Sequence, residues 1–301
     1  IINDDTFLPL IYAAEEGDDI QDPETWRKAN PNLGVSISEE YLKNEAKRAA
    51  ELPSYENTFK RLHLSMWTTS ISKWISDSVW MENYEDINLE TLKGKKCWGG
   101  LDLASTMDLS SLVLYFPMEE QKDVVLVWFW CPKESAEIRG RKYKLPYEEW
   151  IADEYIKATP GNVQDYDYIR QDINTIIEDY DLQSIAFDRW NSSQLIIQLS
   201  QQDGIPMSQF GQGYKSMSSP TKELEKLVLK KEINHLNNPV LRWQCENIQL
   251  QTDPAGNIKI NKQKSSEKVD GMIALVMALG EMMTDEAPGE SIYNERGILS
   301  F

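Results

Sequence analysis

Three aspartates call for a chemical explanation because of what surrounds them. Asp102 lies inside "GLDLA", where it alternates with Leu101 and Leu103, so its carboxylate projects from the opposite face of a strand. Asp188 closes the apolar strand "SIAFD", and in sheets containing parallel strands ligands gather beyond the carboxyl ends. Asp270 opens the last helical pattern, in which Val269, Met272, Ile273, Val276 and Met277 form an apolar stripe. A fourth acid, Asp108, sits in the turn-like "STMD". Burying an unpaired carboxylate costs on the order of several kcal/mol. Each acid has an ordinary structural use: a salt bridge for Asp102, turns for Asp188 and Asp108, a favourable macrodipole for Asp270. Taken together, carboxylates from separate elements repel one another unless cations bind between them. Hard oxygen donors suit Mg²⁺ or Mn²⁺. Two such ions roughly 3.5–4 Å apart can activate a water and stabilise the leaving oxygen of a phosphodiester.

The rest of the sequence narrows the field. The three cysteines, Cys97, Cys131 and Cys245, are scattered and form no C-x-x-C pair, which reads as buried apolar residues in a reducing cytosol. With only His63 and His235 besides, a zinc site or a histidine-based triad has little to work with. There is no phosphate-binding P-loop, "GQGYKS" lacks the third glycine of a dinucleotide fingerprint, and no G-x-S-x-G elbow occurs. No apolar run approaches the ~20 residues that span a bilayer, so no membrane partner is expected. The start, "IINDDTFLPL", lacks the features of a signal peptide and an initiator Met, which suggests an excised fragment or a processed product. A net charge of −18 repels nucleic acid globally. Two local runs oppose it: Arg139, Arg141, Lys142 and Lys144 in one, Lys259, Lys262, Lys264 and Lys268 in the other. Each run is either a solvated loop or a place for an anionic ligand.

The elements that must position the acids follow from pattern. Residues 1 to about 75 read as mainly helical after a strand in "TFLPLIYAA", with Asp22 and Ser38 as caps and an apolar set Tyr55, Phe59, Leu62, Met66. From about 96 the pattern changes to strands at 97–104, 109–116 and 123–130, an antiparallel meander. Helices are expected near 146–158 and 165–180, then the strand 184–188, a helix from 191 to about 202 and a strand near 206–210. A helix at 220–231 and one near 239–246 precede two strands turning at Pro254–Gly256. A helix at 267–283 ends the pattern. The fold class is therefore α/β, a mixed sheet of three antiparallel strands and then parallel ones with helices on both faces, and an acid on the leading strand, one after the fourth strand and one on the last helix resemble the ribonuclease-H-like arrangement. Domains are expected at 1–75, 76–285 and a mobile tail at 286–301.

Several blocks, in order, are similar to one family. "WGGLDLASTMDLSSLVLYFP", "IAFDRWNSSQLIIQL", "FGQGYKSMSSPTKELEKLV" and "NIKINKQKSSEKVDGMIALVMALG" resemble the nuclease-domain motifs of the terminase large subunit of tailed bacteriophages. "DDIQDPETWRKANPNLG" resembles the stretch joining that family's ATPase domain to its nuclease. The resemblance implies a metal-dependent endonuclease that cuts concatemeric viral DNA with little sequence specificity of its own. It implies Asp102, Asp188 and Asp270 as catalytic, metal-binding carboxylates, Asp108 as an accessory acid for a second Mg²⁺ or Mn²⁺, and contacts to double-stranded DNA from Lys262, Lys264, Arg139, Arg141, Lys142 and Lys144. It also implies a small terminase subunit, a portal protein and the chain's own ATPase domain as partners, in the host cell cytoplasm. The Walker motifs are missing, so neither ATP hydrolysis nor packaging is expected of this chain alone. The partner expected for Asp102 is thus a divalent cation shared with Asp188 and Asp270, not a lysine or arginine. Two rivals predict otherwise: a resolvase- or transposase-type nuclease, which would lack "ANPNLG" and "FGQGYKS", and a catalytically silent acidic module that docks on a basic portal or partner surface.

Overall fold

In the computed structural model, which describes residues 10–15, 17–66, 74–104, 108–188, 194–265 and 267–285, the alternation around Asp102 organises the larger part of the chain. The chain divides into two compact units, Ile1–Ser76 and Asp77–Phe301.

The first unit is helical. Asp22 accepts from the Glu24 N–H and Pro23 fills the first position of α1 (Pro23–Ala29). Ser38 accepts from the Tyr41 N–H to start α2 (Glu39–Glu51), and α3 (Pro53–His63) follows the Leu52 break. Trp26, Leu42, Ala46, Ala49, Phe59 and Leu64 form its core. Leu62, expected in the apolar stripe, is 63% exposed. Residues 10–15 form no strand, and the rest of "TFLPLIYAA" lies outside the described residues.

The second unit begins with a short helix, α4 (Asp77–Met81), and then builds one mixed sheet. Its strands are β1 (Lys96–Asp102), β2 (Ser110–Phe116), β3 (Asp123–Pro132), β4 (Lys157–Thr159), β5 (Asp181–Asp188), β6 (Met207–Phe210) and β7 (Ile233–Asn234). The order is β4-β3-β2-β1-β5-β6, with β7 also on β3. β2 lies antiparallel to both β1 and β3, whereas β5 lies parallel to β1 and β6 parallel to β5. Three antiparallel strands extended by parallel ones on the side of the first is the ribonuclease-H-like arrangement.

Connections supply the two helical faces. α5 (Lys133–Tyr143) and α6 (Tyr147–Ala152) follow β3; α7 (Tyr166–Ile177) precedes β5; α8 (Gln194–Ile197) leads into a π turn at Gln198–Gln202. After β6 come α9 (Tyr214–Lys230), α10 (Pro239–Asn247), the hairpin β8 (Leu250–Thr252) and β9 (Ile258–Ile260), and α11 (Asp270–Asp285). On one face Cys97, Leu101, Ile185 and Phe187 pack with Ile169 and Ile173 of α7 and Leu195 of α8. On the other lies α11, whose residues from Gly271 to Gly280 are all buried.

Several expectations are corrected. The basic run at 139–144 is not a loop: most of it is the end of α5, with Lys144 as a left-handed cap. The helix expected over 146–158 stops at Ala152, because the chain turns through Glu154 at positive φ to deliver β4 beside β3. α9 starts at Tyr214, not at 220. Pro220 sits inside the helix with its ring against Gly280 of α11. The expected mobile tail at 286–301 lies outside the described residues.

Candidate metal centre

Strand register sets the first two acids side by side. In the parallel β1–β5 pair Leu101 aligns with Phe187, so Asp102 and Asp188 are the next residues of adjacent strands. By alternation both belong to the face of Gly100 and Ala186. Gly100 is where α11 meets the sheet: a Cβ there would stand 1.9 Å from the Ala274 carbonyl oxygen. Only glycine allows that approach. Further back along β1, the Trp98 indole N–H donates to Asp285 at 3.1 Å. The helix therefore runs antiparallel to the strand, and its first residue, Asp270, is delivered to the Asp102 end.

The environment of these acids is strongly polarised. Asp102 is 1% exposed. Burial, and after it the charge of Asp102, pushes the Asp270 carboxyl up to about 7, with Lys262 and Lys268 pulling the other way. Asp270 Oδ2 is buried and has no hydrogen-bond partner among the described residues.

The neighbour of Asp102 differs from the expectation. Lys262 donates to Asp102 Oδ2 at 2.6 Å, and the Gln212 amide lies 3.4 Å from Oδ1. Burial works against the Lys262 ammonium, but Asp102, Asp270 and Asp188 outweigh it and hold its pKa above the usual lysine value. A buried carboxylate needs a cation, and the segment joining β9 to α11 brings a lysine within reach. The same segment brings Lys268 to Asp108, whose other oxygen is 3.4 Å from Arg139. Arg139 also pairs with Glu267 at 3.1 Å and reaches the Tyr147 hydroxyl oxygen at 3.3 Å. The Gln164 side-chain amide donates to the Asp108 carbonyl. Among the described residues, no three His, Cys, Asp or Glu side chains stand close enough to hold an ion. The ammonium of Lys262 lies among the acids instead.

The remaining basic residues divide into two kinds. Arg139 is only 17% exposed at its side chain and is committed to acids, so it is not an open phosphate contact. Arg141 is 79% exposed, Lys142 rests over the Tyr143 ring, and Lys144 and Lys264 are exposed. A cleft of about 300 Å³ lined by Arg139, Tyr143, Lys262, Lys268 and Asp270 opens beside the acids. Gln212, Glu267 and Lys268 were missed as site residues. Lys268 carried a signal, standing two residues before Asp270 and six after Lys262. The cysteines are buried, with Cys97 and Cys131 pushed up to about 12 by burial.

The donor chemistry, though not the present spacing, suits a hard divalent ion: every candidate ligand is a carboxylate, and one buried carboxylate oxygen lacks a partner among the described residues. No helix among the described residues is long and apolar enough to cross a membrane.

Comparison with known proteins bears on what such a site does. The family described as "Terminase large subunit, endonuclease domain" matches residues 1–286. The chain is 36% identical over 275 residues to the terminase large subunit of Enterobacteria phage HK97, covering 90% of this chain and 53% of that protein. It is 30% identical over 297 residues to protein YmfN of Escherichia coli K12, covering 95% and 65%. The crystal structure of the HK97 large terminase is similar at a TM-score of 0.65 and 36% identity, over 90% of this chain and 56% of that one. The chain thus spans between about half and two thirds of the length of these relatives.

Proposed function

The chain belongs to the terminase large-subunit endonuclease-domain family, and from that premise we propose that it is the metal-dependent DNA-cutting part of a phage packaging terminase. What supports the reading is that Asp102 and Asp188 end adjacent strands, Asp270 starts the helix laid on them, and all three carboxylates act on the Lys262 ammonium. Asp102, Asp188 and Asp270 would hold Mg²⁺ or Mn²⁺, two ions in all, with Asp108 contributing to the second. When bound, such a pair supplies an activated water and neutralises charge at the attacking and departing oxygens of a phosphodiester.

The chain's own groups do the rest. Sheet register and the Gly100–Ala274 contact hold the carboxylates in place before substrate arrives. Lys262, Lys264, Arg141, Lys142 and Lys144 would grip the sugar-phosphate backbone, which fixes the duplex without reading its sequence. Arg139 and Lys268 hold Asp108 at the rim of the cleft. Cleavage of concatemeric double-stranded DNA would therefore show little intrinsic specificity and weaken with salt. Site choice falls to partners: a small terminase subunit, the portal, and the ATPase domain of the longer protein, all in the host cytoplasm. Residues 1–75 serve as the remnant or linker of that ATPase domain, 76–285 as the nuclease.

The test is nicking of supercoiled plasmid with Mn²⁺ or Mg²⁺ by the parent, Asp102→Ala and Asp270→Ala. The expected loss is about 10²–10³-fold, the range for removing one group that stabilises transition-state charge. Cutting that persists in both variants sinks the assignment. No cutting by the parent with either metal favours the silent docking module.

A further inference from the structure

The Lys262–Asp102 ion pair joins a fully buried acid to a lysine whose ammonium is partly desolvated but whose side chain still reaches the surface. Asp102 is 1% exposed, whereas 37% of the Lys262 side chain remains accessible. Its stem can swing outward without disturbing the core, while Asp102 cannot follow it. Lys262 brings one positive charge to a cluster of three carboxylates, Asp102, Asp270 and Asp188, and Lys268 also acts on Asp270. A divalent ion in the same space would compensate it better. The segment that carries Lys262 is organised without the acids: the Asn261 side chain accepts from the Gln263 and Lys264 N–H groups at 3.0 Å, and Ser265 donates to the Asn261 carbonyl at 2.7 Å. Loss of the ion pair would leave that turn intact. Lys262 also lines two clefts, one of about 270 Å³ beside Gln212 and Lys259 and the other beside Arg139 and Lys268. A released ammonium has somewhere to go.

We propose that Lys262 is an exchangeable counter-ion: it neutralises Asp102 in the metal-free chain, yields that carboxylate to the incoming divalent ion, and then offers its ammonium to a DNA phosphate. Metal and DNA are thereby coupled, because the ion that displaces the lysine creates the phosphate contact, and by linkage DNA that draws the lysine away favours the ion. A fixed structural salt bridge would do the opposite and compete with both. The inference rests on the metal-binding role given above to Asp102.

Two measurements on the full 301-residue chain test it. In the first, Mn²⁺ is titrated into metal-stripped protein and free Mn²⁺ is read by electron paramagnetic resonance. Lys262→Gln should bind Mn²⁺ about tenfold more tightly than the parent. Lys230→Gln, which removes the same charge at the exposed end of α9, should match the parent, and Asp102→Asn should lose binding. In the second, the parent is acylated at its amines with and without Mg²⁺ and Lys262 is followed by peptide mass spectrometry. Its modification should be at least about fivefold faster with Mg²⁺. Should Lys262→Gln fail to fold, the labelling decides alone. Unchanged affinity in Lys262→Gln alongside loss in Asp102→Asn overturns the exchange and spares the metal site. Equal labelling with and without Mg²⁺ also overturns it. Mn²⁺ binding by Asp102→Asn at the parent's affinity overturns both readings.

Discussion

Lys262 Nζ stands 2.6 Å from Asp102 Oδ2, joining the segment before α11 to the end of the first strand across 160 residues of sequence. This contact resolves the burial of Asp102: the acid is tolerated because a cation reaches it. The pair does not exhaust the local negative charge, since Asp188 and Asp270 act on the same ammonium. Lys262, with Lys268 also acting on Asp270, thus helps hold the site together, while burial and Asp102 leave Asp270 under strain.

Asp270 bears that strain, which gives a pH-dependent prediction. Its carboxyl is raised by burial and by Asp102 to about 7 from an ordinary value near 3.8. Its contribution to stability is fully present below pH 3.8, where folded and unfolded chains are both protonated, and is lost as pH rises through 7. In EDTA, Asp270→Asn should therefore melt several degrees above the parent at pH 8, with the difference shrinking toward pH 4. The same variant should not cut DNA. Calorimetry at the two pH values checks the stability half, and an unchanged or lowered Tm at pH 8 would contradict it.

The basic residues separate into phosphate contacts and internal struts, and salt dependence distinguishes them. Binding of a labelled duplex to a cleavage-blocked Asp188→Asn chain is measured by anisotropy across salt concentrations. Lys264→Gln or Lys142→Gln should each lower the slope of log K against log salt by about 0.9. Arg139→Gln should leave the slope nearly unchanged, because that guanidinium is bonded to Asp108 and Glu267. It should lower Tm instead, since both acids lose a partner. A slope change at Arg139 equal to that at Lys264 would contradict this division.

His235 supplies an acid-side signature unrelated to catalysis. Its ring stacks on Trp80 at 4.3 Å, its Nε2 faces the Trp80 carbonyl at 2.8 Å, and its Nδ1 accepts from the Asn237 N–H. Burial holds its pKa below the ordinary 6.5. The neutral form is therefore the folded form, and its stabilising contribution is present above pH 6.5 and lost as pH falls through the lower folded value. His235→Phe keeps the stack, removes the hydrogen bonds and should cost about 1–3 kcal/mol at pH 7.5. Its Tm should then fall less between pH 7 and 5 than the parent's, as followed by circular dichroism.

Much of this was legible in the sequence because the informative patterns are local. The alternation of Leu101, Asp102 and Leu103, the caps at Asp22 and Ser38, and the apolar stripe after Asp270 each follow from neighbours within a turn or two, and the described elements carry them. The failures arise where a distant partner decides. α5 has a weakly apolar face, and β4 is only three residues long and owes its existence to β3. Pro220 reads as a helix start until Gly280 of α11 is seen to make room for its ring. The partner of Asp102 could not be read locally, because Lys262 looks like any other lysine of its run until the turn at Asn261 brings it back across the sheet.

Gly100 tests whether the site depends on the fold in the way the geometry requires. A Cβ at this position would meet the Ala274 carbonyl oxygen at 1.9 Å and the Ala278 nitrogen at 2.8 Å, both on the backbone of α11. No rotamer relieves a clash with backbone, so the helix must lift from β1. Overpacking of this kind costs about 1–3 kcal/mol and occasionally more. Asp270 lies one helical turn before Ala274 and moves with it, whereas Asp102 and Asp188 stay on the sheet. Gly100→Ala should therefore lose nicking activity per folded molecule by far more than its fall in Tm implies at the assay temperature. Gly213→Ala, where a Cβ meets nothing within 4 Å, should lose neither. If Gly100→Ala melts lower yet cuts at the parent's rate when folded, the α11–β1 contact does not position Asp270.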